Sequence, residues 1–231
     1  MSNSRRATRQ GSDRQMLRER EIVNAARLVF ESTGFDSASM ADIAARAGIV
    51  EGTVYLYFDS KKDLMHRVVA EWYESLIASV SEGLARITGV RARLRFCILR
   101  HLRVYVENTG LANLLIRELR RDTKYYETEI YSLNKRYTAF VTADILEGIK
   151  QGELNPDIAP EIVRDLIFGG IEHCAYRILS GRGGLDIDLA ADRILGTLWA
   201  GIAAPKNASQ TALEDRIARL EKMMIANSEK S

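Results

Sequence analysis

Proline is scarce in this chain, with only Pro156, Pro160 and Pro205 in 231 residues. So few leave long stretches free to run helical, since a proline removes an amide donor and clashes with the preceding turn. Cysteine is scarcer still. Cys97 and Cys174 lie far apart, each within an apolar helical pattern, which predicts two buried thiols ahead of a disulfide or redox sensor. His66, His101 and His173 share no metal-ligand spacing with those cysteines, so neither a metal nor a cofactor is expected. No segment is long and apolar enough to cross a bilayer, and no apolar run follows the early arginines as a secretory signal would need; a cytoplasmic protein is the expectation. Strand-type alternation is missing. So are a nucleophile–base pairing and a phosphate-cradling glycine loop, which argues against an enzyme. Even net charge is small, at +2.

What is present is helix after helix. The chain carries 46% hydrophobic residues, enough to bury a substantial core in one small and one larger unit. Its cations are concentrated early: Arg5, Arg6, Arg9, Arg14, Arg18 and Arg20 face only Asp13 and Glu19. That segment is expected to be a disordered basic arm that can follow phosphates or enter a minor groove. Further on, Ser39 and Asp42 have capping-box spacing for a short helix whose inner face is Met40, Ile43, Ala44 and Ala47. Gly48 suits the left-handed turn that follows. Val50 to Tyr57 then forms a segment too short to be helical alone, with Val54 and Phe58 spaced to face inward. Glu51, Thr53, Tyr55 and Tyr57 face outward. Ser60 and Asp63 repeat the capping spacing, and Lys61 and Lys62 stand in the next first turn, where cations beside free N–H groups suit a phosphate.

The runs Ala41-Asp42-Ile43-Ala44, Ala47-Gly48, Gly52-Thr53-Val54-Tyr55-Leu56-Tyr57-Phe58 and Lys61-Lys62-Asp63-Leu64 resemble the tetracycline-repressor (TetR) family of transcriptional regulators. The likeness extends back through Ile22-Val23-Asn24-Ala25-Ala26-Arg27-Leu28-Val29-Phe30 and Gly34-Phe35, covering Arg18 to Leu64. Val50 stands where that family usually has a serine or similar cap, and Asp59 where a lysine is common. The resemblance implies an all-α homodimer: an N-terminal three-helix helix-turn-helix domain that binds a palindromic operator, and a C-terminal helical ligand-binding and dimerisation domain whose small effector releases it. The expected division is an arm over 1–17, a DNA-binding domain over 18–64, a helical domain over 65–204 and an amphipathic extension over 205–231. Ser39, Glu51, Gly52, Thr53, Tyr55, Tyr57 and Lys61 are the expected DNA contacts.

In the larger unit, helices are predicted over Lys61 to Ile87, burying Leu64, Val68, Trp72 and Leu76, and over Arg91 to Glu107, burying Phe96, Leu99, Leu102 and Val106. Gly110 breaks before Leu111 to Arg121. Others follow over Thr123 to Lys150, Pro160 to Leu179 and Leu189 to Ala203. Gly169, Gly170 and Gly196 cost these last helices about 1 kcal/mol each unless a close partner compensates. The resemblance assigns that partner to a second copy, with Ile167, Phe168, Gly170, Ile171, Leu195, Leu198 and Trp199 at the seam; intrachain packing explains them equally. Leu213, Ile217, Leu220 and Met224 form a short coiled-coil-like stripe beyond.

A hydrophobic effector would meet Trp72, Leu102, Arg103, Tyr105, Phe140, Phe168, Glu172, His173 and Cys174 in the middle of the bundle. The stretches Asp144 to Leu154 and Leu166 to Glu172 are similar to the fatty-acid-degradation repressors of the family, which answer to long-chain acyl-CoA. Arg100, Arg103, Arg120, Arg121 and Lys124 supply cations for such a nucleotide's phosphates. The rival is a ligand-free, constitutive DNA-binding protein, which predicts a helical domain with no cavity.

Overall fold

The computed structural model describes residues 2–180 and 184–205, and among them it contains nine α-helices and no strand. The first, α1, spans Ser2–Thr33. Where the sequence predicts a disordered arm, helix therefore runs back to Ser2. The segment lacks proline, and adding turns to a helix already anchored by packing needs no new nucleus. The anchor is the face formed by Ile22, Val23, Ala25, Ala26, Val29 and Phe30, all buried. Gly34, at φ 80°, ends the helix with its amide on the Phe30 carbonyl.

Helix α2 (Met40–Ala47) opens with the predicted reciprocal box: the Ser39 hydroxyl accepts from the Asp42 amide at 3.0 Å, and the Asp42 carboxylate accepts from the Ser39 amide at 3.1 Å. It closes at Gly48 in the left-handed region, φ 68°. Only Glu51–Val54 then forms α3, with Val50 at its start offering no side-chain cap. Tyr55 to Phe58 tighten into turns. Val54 and Phe58 are both buried, which fixes this short element against α2.

Helix α4 (Lys61–Leu84) starts with half of the expected box: Ser60 accepts from the Asp63 amide, whereas the Asp63 carboxylate takes the Asp59 amide instead. The helix runs unbroken through the expected boundary at 64/65. Its neighbour α5 (Val90–Glu107) packs on α4, α7, α8 and α9. Its buried face is Leu94, Cys97, Ile98, His101, Leu102, Val104 and Tyr105; Phe96 and Leu99 are half-buried and Val106 is exposed, so the helix is rotated from the predicted register. Neighbours on both flanks widen the apolar stripe beyond one spacing of four. Arg93 ties this region together, donating to the carbonyl of Leu84 at the end of α4, to that of Ile87 just beyond it, and to Asp144 at 2.7 Å.

Gly110 does not break the chain. It lies inside α6 (Thr109–Asn113), which leads into a π-helical turn, Leu114–Leu119. The next predicted helix begins late: a 3-10 turn over Tyr125–Glu127 precedes the Thr128 cap of α7 (Glu129–Lys150). Helices α8 (Pro160–Leu179) and α9 (Ile187–Ile202) complete the bundle. The Leu213 to Met224 stripe lies outside the described residues.

Candidate nucleic-acid interface and effector cavity

The short element α3 presents Glu51 and Gly52 to solvent, with Thr53 half-exposed beside them. Tyr55 is 49% exposed, and Leu56, which the sequence reading passed over, is 81% exposed. Tyr57 is half-buried and shares a groove with Arg14 and Arg18 of α1, so α1's cationic flank adjoins the reading segment. Ser39 is exposed at the start of α2, with its hydroxyl engaged in the cap. Lys61 departs most from expectation. Its ammonium donates to the carbonyls of Phe35 (2.7 Å), Ala38 (2.8 Å) and Asp36 (3.3 Å), and sits 4.5 Å from the Phe35 ring centroid. Three donors already matched to three carbonyls leave none for a phosphate. Lys61 holds the α1–α2 loop against α4.

Beside the packing of α1 along α4, two contacts join this head to α6 and the turn that follows it. A Cβ on Gly110 would lie 2.9 Å from the Glu31 Cα, so α6 meets the backbone of α1 with nothing between. Lys62 pairs with Asp122, just past the π-helical turn, and that bond holds the Asp122 carboxyl below its ordinary range.

Inside the body, an inner lumen bounded by Trp72, Leu76, Val104, Tyr105, Ala112, Leu115 and Ile116 holds only about 10 Å3, room for roughly one water. An outer cleft of about 480 Å3 lies against it, lined by Tyr126, Tyr131, Asn134, Lys135, Thr138, Arg164, Asp165, Phe168, Gly169 and Glu172. His101 and Arg120 line both spaces and form the neck between them. Arg120 donates to Glu172 at 2.5 Å across that neck. Burial opposes the Arg120 charge, and Glu172 more than offsets it, so the guanidinium's pKa stands above its ordinary value. Tyr73, deep in the lumen wall, donates to Asn134 at 3.0 Å, and burial pushes its phenol above the usual range.

Of the predicted effector residues, Trp72, Tyr105, Phe168 and Glu172 line these spaces. Leu102 is buried and lines neither space, Phe140 and Cys174 are half-buried and line neither, and Arg103 and His173 face solvent. Of the cation cluster only Arg120 reaches the cavity; Arg100 pairs with Glu107, and Arg121 and Lys124 are exposed. Sequence reasoning missed His101, Tyr137, Lys135 and Arg164, whose spacing carries no signal until α5, α7 and α8 are brought together. Cys97 is buried, which pushes its thiol up to about 12.

The outer faces of α8 and α9 also differ from expectation. Ile167, Ile171 and Leu195 are buried within the protomer, and Leu198 and Trp199 are half-buried against it. Exposed instead are Ile162, Leu166, Tyr176 and Leu189, interleaved with Gly169, Gly170 and Gly196, whose missing side chains face open space. The intrachain core takes one face of each helix and leaves an apolar, small-residue stripe on the other.

A helix-turn-helix head fused to a cavity-bearing helical body defines a DNA-binding transcriptional regulator. Residues 22–68 match the family described as bacterial regulatory proteins, tetR family, and residues 69–199 match the YsiA-like protein, C-terminal region. The chain belongs to the tetR family of bacterial regulators and is not an enzyme. It is 25% identical over 182 residues to a fatty acid metabolism regulator protein of Bacillus subtilis (strain 168), covering 79% of this chain and 94% of that one. It is 23% identical over 198 residues to the HTH-type transcriptional repressor KstR2 of Rhodococcus jostii (strain RHA1), covering 82% and 93%. Among solved structures, the transcriptional regulator FadR from Bacillus subtilis in complex with stearoyl-CoA aligns with a TM-score of 0.70 at 25% identity, covering 79% of this chain and 98% of that one.

Proposed function

We propose that this regulator is a cytoplasmic repressor that binds a palindromic operator as a homodimer and is released by a long-chain acyl-CoA. The observation that carries the effector is the pairing of an apolar lumen with a polar, cationic cleft through one neck. An amphiphile with a hydrocarbon chain and a phosphorylated head fits that sequence of environments, with Lys135 on the head's side and Arg164 beside it, paired with Asp165 at 2.8 Å until a phosphate competes. The stearoyl-CoA bound to the FadR relative supports the same class. A constitutive DNA binder predicts a filled body, and the inner lumen, with room for about one water, comes close to that; the outer cleft is what favours an effector.

Ser39, Glu51, Gly52, Thr53, Tyr55 and Tyr57 form the operator face, with Leu56 offered to a thymine methyl and Arg14 and Arg18 flanking it for phosphates. Two such faces reach successive major grooves only if two copies pair, and the stripe of Leu166, Gly170, Tyr176 and Gly196 is the pairing surface. Release follows from geometry. The lumen is nearly closed, so a chain entering it must displace its walls, among them Ala112, Leu115 and Ile116 of α6 and the π-helical turn. That segment rests on α1 at Gly110, so its movement turns the head.

A differential affinity of about 1 to 3 kcal/mol between the free and operator-bound conformations shifts operator binding about five- to 150-fold. The test is to titrate acyl-CoAs of increasing chain length into the protein bound to an operator selected from random duplexes. Longer chains are expected to release the DNA at lower concentration. If no chain length weakens the complex or raises the melting temperature of the free protein, the effector assignment fails while the regulator stands.

A further inference from the structure

At the neck, His101 is 9% exposed, and its Nε2 is buried with no hydrogen-bond partner among the described residues. Its ring is boxed by Phe168, Tyr105 and Tyr137, with centroids at 4.7, 5.4 and 5.5 Å. Leaving a polar ring nitrogen dry in an aromatic box is costly, and four residues with other unpartnered buried atoms (His66, Tyr125, Thr142 and Asp144) line neither cavity space.

The other ring nitrogen fixes what Nε2 can offer. Nδ1 lies 3.2 Å from the Tyr137 hydroxyl. A phenol is a strong donor and a weak acceptor, whereas an imidazole nitrogen is a good acceptor, so Tyr137 donates and the ring's own proton resides on Nε2. Burial and the nearby Arg120 charge push the imidazole down to about 3, which keeps it neutral with one proton to give. Nε2–H is thus left without an acceptor, on a ring that lines both the apolar lumen and the polar cleft.

We propose that His101 reads the carbonyl oxygen of the effector's thioester, donating one hydrogen bond from Nε2 at the junction of chain and head. The assignment rests on the acyl-CoA effector and makes His101 a specificity-determining residue: chain length is read by the lumen, and the acyl carbonyl by His101. A thioether analogue has the same chain and head but no carbonyl, so it isolates this contact.

The experiment measures binding of palmitoyl-CoA and S-hexadecyl-CoA by calorimetry to the full chain. Wild type is expected to prefer the thioester by about three- to tenfold. His101→Phe should bring the ratio to about one by weakening the thioester alone. Tyr137→Phe, which frees the tautomer, should lower the ratio as well, and it serves if His101→Phe does not fold. Equal binding of both ligands to wild type, or a preference that survives His101→Phe, overturns the assignment and leaves the acyl-CoA effector intact. Binding of neither ligand to wild type overturns both.

Discussion

Replacing Gly110 with alanine tests the contact on which release depends. The new Cβ would lie 2.9 Å from the Glu31 Cα and 3.1 Å from its Cγ. Carbon atoms in good contact lie about 3.5 to 4.0 Å apart, so α6 must retreat by roughly 0.6 to 1.1 Å. The obstacle is backbone, which no rotamer change removes. Overpacking of this kind costs about 1 to 3 kcal/mol, and alanine's better helix propensity returns at most about 1 kcal/mol. A net loss of about 1 kcal/mol follows, and with it a melting temperature lower by about 2 to 4 °C for a chain of this size. The separation also tilts the head, so operator affinity should fall while acyl-CoA affinity holds or rises. Calorimetric melting and fluorescence anisotropy with a labelled operator read the two effects. A variant that melts higher than wild type and binds operator unchanged would refute the reasoning, because α1 and α6 would then not be held in contact.

Lys61→Ala should cost about 1 to 2 kcal/mol of stability in chemical denaturation, since three loop carbonyls lose a charged donor, yet leave the salt dependence of operator binding unchanged; a flatter slope would return Lys61 to the phosphates. Leu166→Glu places two carboxylates in the proposed pairing stripe and should shift sedimentation from dimer to monomer at micromolar concentration; an intact dimer would move the seam elsewhere. His101 has a folded-state pKa near 3 against 6.5 unfolded, so the unfolded chain binds the extra proton between those values and stability drains as pH falls through that window, by up to about 1.4 kcal/mol per pH unit. His101→Phe should flatten this part of the melting-temperature profile, and an unchanged profile would show that the ring takes up its proton when folded.

The parts of this fold that were legible in the sequence are those with local causes. Ser39 and Asp42 satisfy one another across one turn, Gly48 supplies a left-handed bend, and Pro160 starts α8 where its missing amide costs nothing. What the sequence hid is relational. Lys61 sits where a phosphate ligand would, but the carbonyls that claim it lie more than twenty residues away in sequence, on a loop whose path depends on α1. Ile167, Ile171 and Leu195 fit a dimer seam as well as a core, and only the packing of α5 on α8 and α9 decides between them. Gly110 resembles a helix break because a close approach to Glu31 leaves no trace in spacing. His101 was one of three histidines without a partner pattern; the neck it forms takes shape only when α5 meets α7 and α8.

The chain has two tryptophans, and they stand in different places. Trp72 forms part of the wall between the inner lumen and a second groove of about 310 Å3 that faces Val23, Asn24 and Arg27 of α1. Trp199 lies on α9 with the Arg91 guanidinium 5.4 Å from its ring centroid. The protein thus carries two built-in optical probes: emission from Trp72 responds when a chain fills the lumen or when α1 moves, while Trp199 reports on α9 and the seam beside it. With a Trp199→Phe variant, stopped-flow emission from Trp72 can time the arrival of the effector against the departure of DNA, resolving which event comes first.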